Sequence, residues 1–126
     1  MAVIGDSTFV HSGITGLVDT VYNKGLSTVI ILDNSITGMT GHQENPTTGK
    51  DIHHQPAPRL SLEGVCRAVG VEKVLVADPG DLAAMKSAVQ EALAWDGPGC
   101  PGDDRHGQDL LDVGDAGSLR LQPGYP

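Results

Sequence analysis

The sequence is poor in aromatic residues, with one Trp, two Tyr and one Phe among 126 positions, against 17 Gly and 8 Pro. A core must therefore be assembled from Val, Ile, Leu and Ala, which favours thin aliphatic strands. Bases are scarce as well. Eight Lys and Arg face sixteen Asp and Glu, a formal net charge of −8, and this argues against nucleic acid as a partner, because phosphate backbones need a basic stripe. No apolar run approaches the roughly 18 residues that span a bilayer, and Met1-Ala2-Val3-Ile4 lacks the basic region and long apolar stretch of a signal peptide. The chain reads as cytoplasmic, with no membrane partner. Only Cys66 and Cys100 occur, with no CxxC between them, so neither a disulfide scaffold nor a cysteine-held zinc or iron–sulfur site is encoded. The length suits one domain with a core of about a dozen apolar side chains.

What is present has two textures. Residues 1–96 alternate apolar runs with amphipathic stretches, whereas residues 97–126 hold eleven Gly or Pro in thirty positions and no sustained apolar period. Ala2-Val3-Ile4 predicts a short buried strand that stops at Gly5-Asp6. Ile14, Leu17, Val18, Val21 and Tyr22 recur at helical spacing and predict a helix over about 13–24, closed by Gly25. Thr28 to Leu32 is a β-branched run without polar alternation, the mark of a central strand covered on both faces. Residues 33–58 carry Gly, Asn, Pro, Thr and three His, and are long enough to suggest a binding loop.

Leu62, Val65, Cys66 and Val69 predict a helix entered at Ser61 and left at Gly70. Lys73 to Ala77 follows as a strand. Asp81 caps a last helix whose Leu82, Met85, Val89, Ala92 and Leu93 share one face, ending near Trp95 or Asp96. This order predicts an α/β fold with a parallel sheet and flanking helices.

Ligands of such sheets gather at the carboxyl ends of the strands. There the chain places Gly5-Asp6-Ser7 after the first strand and Asp33-Asn34 after the second. An Asp carboxylate and an Asn carbonyl are hard oxygen donors suited to Mg²⁺, which takes one or two protein oxygens plus phosphate and water. Gly-Asp-Ser alone is common turn chemistry. Asn34, however, lies 28 positions after Asp6, enough for a helix and a second strand to return the chain to the same edge. Gly5 and Gly13 leave room for close backbone approach, and amides in the loop before the helix at 13 suit phosphate oxygens.

Gly5-Asp6-Ser7, then Thr8 to Gly13, then Ile31-Leu32-Asp33-Asn34-Ser35-Ile36-Thr37-Gly38-Met39-Thr40-Gly41-His42-Gln43, resembles the thiamine-diphosphate motif of 2-oxoacid:ferredoxin oxidoreductases. Within that group the likeness is greatest to the alpha subunits of indolepyruvate ferredoxin oxidoreductases, over residues 1–98. The resemblance implies that Asp6 and Asn34 bind Mg²⁺ with the main-chain carbonyl of Ile36. It implies that Gly5 and Ser7 lie beside the diphosphate and that Thr40 and Gly41 belong to the loop around the cofactor. Ser7 departs from the Gly usual at this place but agrees with the indolepyruvate branch. His42 and His11 join the candidates for cofactor contact.

The implied activity is oxidative decarboxylation of an arylpyruvate or related 2-oxo acid, with acyl transfer to coenzyme A and electrons passed through iron–sulfur clusters to ferredoxin. The family's pyrimidine-binding domain, its cluster cysteines and a second subunit are not in this sequence. The expectation is a truncated thiamine-diphosphate-binding domain of the diphosphate type over residues 1–98, inactive alone. A Gly/Pro/Asp-rich tail over 99–126 follows, expected to be disordered and consistent with a frame-shifted reading. Two rivals stand beside it: a non-catalytic α/β signalling or binding module, and a degraded gene product.

Other residues have plainer readings. His53 and His54 are adjacent and belong to an exposed loop, not a metal site. Gly49-Lys50-Asp51 lacks the Ser or Thr and the upstream Gly of a phosphate loop. Cys66 falls on the apolar stripe of its helix, a core position. Met39 suits either packing or the cofactor pocket. The acids of the tail, Asp103, Asp104, Asp109, Asp112 and Asp115, read as a solvated run.

Overall fold

A computed structural model describes residues 1–95 and the backbone of residues 108–113. Four strands form one sheet: β1 (Ala2–Gly5), β2 (Ser27–Leu32), β3 (Lys73–Val76) and β4 (Gln108–Val113), in the order β1-β2-β4-β3. Every pairing is parallel, with Gly5 opposite Leu32 at the end of the first pair. The parallel α/β expectation is met.

The helices are α1 (Asp6–Thr8), a π-helical turn (Phe9–Gly13), α2 (Ile14–Tyr22), α3 (Leu62–Val69) and α4 (Leu82–Ala94). Ile30 and Ile31 point to opposite faces of β2, as a strand's alternation requires, and both are buried. Ile31 joins Phe9, Leu17, Leu62, Cys66 and Val71 in one cluster, whereas Ile30 packs with Leu75, Ala77, Met85 and Val89 in a second. Cys66 is wholly buried in the core, as its place on the stripe predicted.

Caps match the sequence closely. Ser61 Oγ accepts from the Gly64 amide at 3.0 Å, and Gly70 closes α3 with φ +107°. Asp81 Oδ1 accepts from Ala83 and Ala84 at 3.0 Å each and starts α4.

Three expectations change. The helix does not begin at 13: it starts at Asp6, directly after β1, and continues through the π turn into α2. At 3.6 residues per turn, Phe9 and Leu17 stand about 80° apart on an unbroken helix, and the extra residue of a π turn brings them within about 20°. Both are then buried. Secondly, Val18, Tyr22, Leu82 and Leu93, assigned to apolar stripes, are exposed, because the narrow four-stranded sheet covers less of each helix than the stripes offer. Thirdly, β4 falls within the stretch read as an irregular tail and lies between β2 and β3. Its segment, Asp109-Leu110-Leu111-Asp112, interrupts the apolar run expected of a central parallel strand. The rest of the expected tail, including Cys100, Asp103, Asp104 and Asp115, lies outside the described residues. Among the described residues no helix is long and apolar enough to cross a membrane.

Candidate functional site

The parallel register sets the site. Because Gly5 is opposite Leu32, the chain leaves β1 at Asp6 and β2 at Asp33-Asn34 on the same edge of the sheet. Asp6 opens the helix, where unpaired backbone N–H groups favour an anion. It is only 3% exposed and makes no ion pair among the described residues. A carboxylate withdrawn from water without a compensating cation is unfavourable.

Its one side-chain hydrogen bond among the described residues comes from far along the sequence. Thr47, 1% exposed, places its hydroxyl 2.9 Å from Asp6 Oδ2 and 2.6 Å from Asn45 Oδ1. Asn45 Oδ1 also accepts the Thr47 amide at 2.8 Å, and Asn45 Nδ2 donates to Thr37 Oγ1 at 3.3 Å. Thr37 Oγ1 in turn meets Ser7 Oγ at 2.8 Å. A polar chain thus runs from Ser7 through Thr37, Asn45 and Thr47 back to Asp6, tying the first strand end to the loop after the second. Sequence reading missed Thr37, Asn45 and Thr47. The available signal was Asn45-Pro46-Thr47-Thr48, a run suited to a side-chain-capped turn.

The loop after β2 is built on two such turns. Asp33 Oδ1 accepts the Ser35 amide at 2.7 Å and its hydroxyl at 3.1 Å, and Asn34 Oδ1 accepts the Ile36 amide at 3.1 Å. Ser35 sits at φ +50°, and Arg59 approaches from outside, with Nη2 3.3 Å from Ser35 Oγ and 4.0 Å from Asp33 Oδ2. Asn34 itself is exposed.

Other candidates separate. An added Cβ on Gly5 would meet nothing within 4 Å, so packing within the described residues does not explain its glycine. Thr40, Gly41 and His42 belong to an exposed turn, with Gly41 at φ +115° and His42 at φ +62°. That turn is closed by Gln43, which donates to the Thr40 carbonyl and meets the Thr40 hydroxyl, both at 2.6 Å. It joins the site through Gln43 O, which accepts from the Thr37 amide at 3.1 Å. Met39 is fully exposed. His11 falls in the exposed part of the π turn, and its side chain makes no hydrogen bond or ion pair among the described residues. His53 is exposed, and His54 pairs with Glu44 at 3.0 Å. The Glu44 carboxyl is held below its ordinary range, first by the Thr48 side chain and then by His54. Among the described residues no three His, Cys, Asp or Glu gather as a metal cage.

A parallel sheet with a buried acid and a turn-rich loop at the ends of neighbouring strands has the arrangement of a ligand-binding α/β domain, whose sites lie at the carboxyl ends of the strands. The thiamine pyrophosphate enzyme C-terminal TPP-binding domain matches residues 1–100, and the chain belongs to that family. It is 40% identical over 97 residues to the indolepyruvate oxidoreductase subunit IorA of Pyrococcus horikoshii, covering 77% of this chain and 15% of the relative. The subunit of the same name from Archaeoglobus fulgidus is 43% identical over 97 residues, 77% of this chain and 16% of the relative. That from Pyrococcus abyssi is 41% identical over 96 residues, 76% and 15%. The chain thus spans about one sixth of the length of these relatives. No solved structure matches.

Proposed function

We propose that this chain is the diphosphate- and Mg²⁺-binding portion of a thiamine-dependent indolepyruvate (arylpyruvate) ferredoxin oxidoreductase. The observation that carries the reading is Asp6, a carboxylate at the end of β1 that is 3% exposed and has no cationic partner among the described residues. Asp6, Asn34 and the Ile36 carbonyl would hold Mg²⁺, a ligand set of hard oxygens that leaves places for phosphate oxygens and water. A divalent cation supplies the counter-charge that Asp6 lacks among the described residues. Open space beside Gly5 admits the diphosphate, with Ser7 next to it. Thr40 and Gly41, with His11 and His42 exposed near the loop and π turn, would border the cofactor.

Bound thiamine diphosphate would supply the carbanion chemistry that decarboxylates a 2-oxo acid. The protein's share is to hold the cation that offsets the diphosphate charge and to keep the cofactor in one orientation. The relatives' name supports indolepyruvate as the substrate. Coenzyme A, ferredoxin, the iron–sulfur clusters, the pyrimidine-binding domain and a second subunit would be met through the full enzyme, so turnover is not expected of residues 1–126 alone.

The test is calorimetric titration of the chain with thiamine diphosphate in the presence and absence of Mg²⁺. Metal-dependent binding that disappears in Asp6→Ala is the expected result, and undiminished binding in that variant removes Asp6 as a ligand.

A further inference from the structure

We propose that Thr47 is a positioning residue for the Asp6 carboxylate, acting through its hydroxyl, an inference that rests on Asp6 as the metal ligand. The two side chains are 41 residues apart, yet both are almost wholly buried, and the single proton of Thr47 Oγ1 is shared between Asp6 Oδ2 at 2.9 Å and Asn45 Oδ1 at 2.6 Å. A buried hydroxyl is unfavourable unless it is bonded, so valine would fill this volume more cheaply if filling were the only role.

The turn that presents the hydroxyl is anchored on several sides. Asn45 Oδ1 accepts the Thr47 amide at 2.8 Å, and the Asn45 carbonyl accepts the Thr48 amide at 3.0 Å and the Thr48 hydroxyl at 2.9 Å. The Pro46 carbonyl accepts the Leu60 amide at 2.8 Å, and Asn45 Nδ2 reaches Thr37 at 3.3 Å. The location of Thr47 Oγ1 is therefore set by the loop, and the loop fixes one oxygen of Asp6. The other, Oδ1, receives no hydrogen bond from the described residues. A carboxylate pinned through one oxygen with the second unpaired matches the way outer hydrogen bonds orient metal ligands. Thr47 touches neither cation nor cofactor in this scheme; it acts through Asp6.

The experiment titrates the full 126-residue chain with Mg²⁺ and thiamine diphosphate by calorimetry, and with Mn²⁺ alone by electron paramagnetic resonance. Thr47→Val keeps the shape and loses the hydroxyl, whereas Thr47→Ser keeps the hydroxyl and loses the methyl. Thr47→Ala serves as a second hydroxyl-free variant, with folding followed by circular dichroism. Val and Ala should weaken Mn²⁺ and Mg²⁺-dependent cofactor binding roughly 10- to 100-fold, and Ser should restore it. Binding by a folded Val or Ala variant equal to that of the unaltered chain, while Asp6→Ala loses it, overturns the role of Thr47 and leaves Asp6 standing. A Ser variant as weak as Val points to methyl packing and overturns it too. Undiminished binding in Asp6→Ala overturns both readings.

Discussion

The Ser7 hydroxyl lies 2.8 Å from the Thr37 hydroxyl, thirty positions along the chain. One residue follows Asp6 and the other follows Ile36, so this bond joins the two segments that carry the candidate ligands. Thr37 also accepts from Asn45 Nδ2. Thr37→Val keeps the volume and removes both bonds. Each such bond contributes about 0.5–1.5 kcal/mol, so the expected loss is about 1–3 kcal/mol in urea denaturation. A loss of cofactor affinity should accompany it, as the two strand ends separate. A variant with unchanged stability and affinity would show that this bond ties nothing together.

The frame of the fold was legible because its cues are local. Ser61, Gly70 and Asp81 cap helices through their own neighbours, and Thr28 to Leu32 is a strand by β-branched composition alone. What escaped depends on distant pairing. Thr47 acquires its meaning from Asp6, 41 residues away, and nothing at either position announces the other. The start of the first helix was missed because Asp6-Ser7-Thr8 favours turns in isolation, while burial of Phe9 draws the helix back to Asp6. β4 was hidden by its acids, which break the apolar pattern of a central strand. At the site itself, placing Asp6 and Asn34 on one sheet edge followed from counting residues across one helix and one strand. The network behind Asp6 has no such period to count.

Gly13 is required by packing. A Cβ there would stand 2.9 Å from Ile4 Cδ1 and 2.9 Å from Phe9 Cδ2, inside the main core. Gly13→Ala is expected to destabilise by about 1–3 kcal/mol through overpacking. Gly16, one helical turn on, meets nothing within 4 Å, so Gly16→Ala should stabilise by about 0.5–1 kcal/mol. Chemical denaturation of the two variants should show opposite signs. The same sign in both would break the packing argument for Gly13.

Glu44 gives the loop a pH response. Its carboxyl is held below the ordinary value by the Thr48 side chain and then by His54. A lowered folded pKa means that the contribution is present above the unfolded value of about 4.3 and is lost as pH falls through the folded one. Protonation of Glu44 should therefore loosen the Glu44–His54 contact in that acid range. Amide hydrogen exchange around residues 44–54, compared between the unaltered chain and Glu44→Gln, reads it directly. Protection that declines on acidification in the unaltered chain and stays flat in the variant is expected. Identical profiles would sever Glu44 from the loop's order.

Asp6 should trade stability for binding, and the two can be read in one experiment. Asp6→Asn keeps the size of the side chain and an oxygen able to accept from Thr47, but removes a charge that is 3% exposed and has no cationic partner among the described residues. Without divalent cation, the variant should match or exceed the unaltered chain, by an amount on the order of 1 kcal/mol. Adding Mg²⁺ and thiamine diphosphate at about 100 times the dissociation constant stabilises a chain that binds them by about 2.7 kcal/mol. The unaltered chain gains this increment and the variant largely does not, so their order of stability reverses on adding ligand. Denaturation of both proteins with and without ligand measures the reversal. If Asn lowers stability in both conditions, or gains as much from the ligand as Asp does, the buried carboxylate is a structural group and the cation belongs elsewhere.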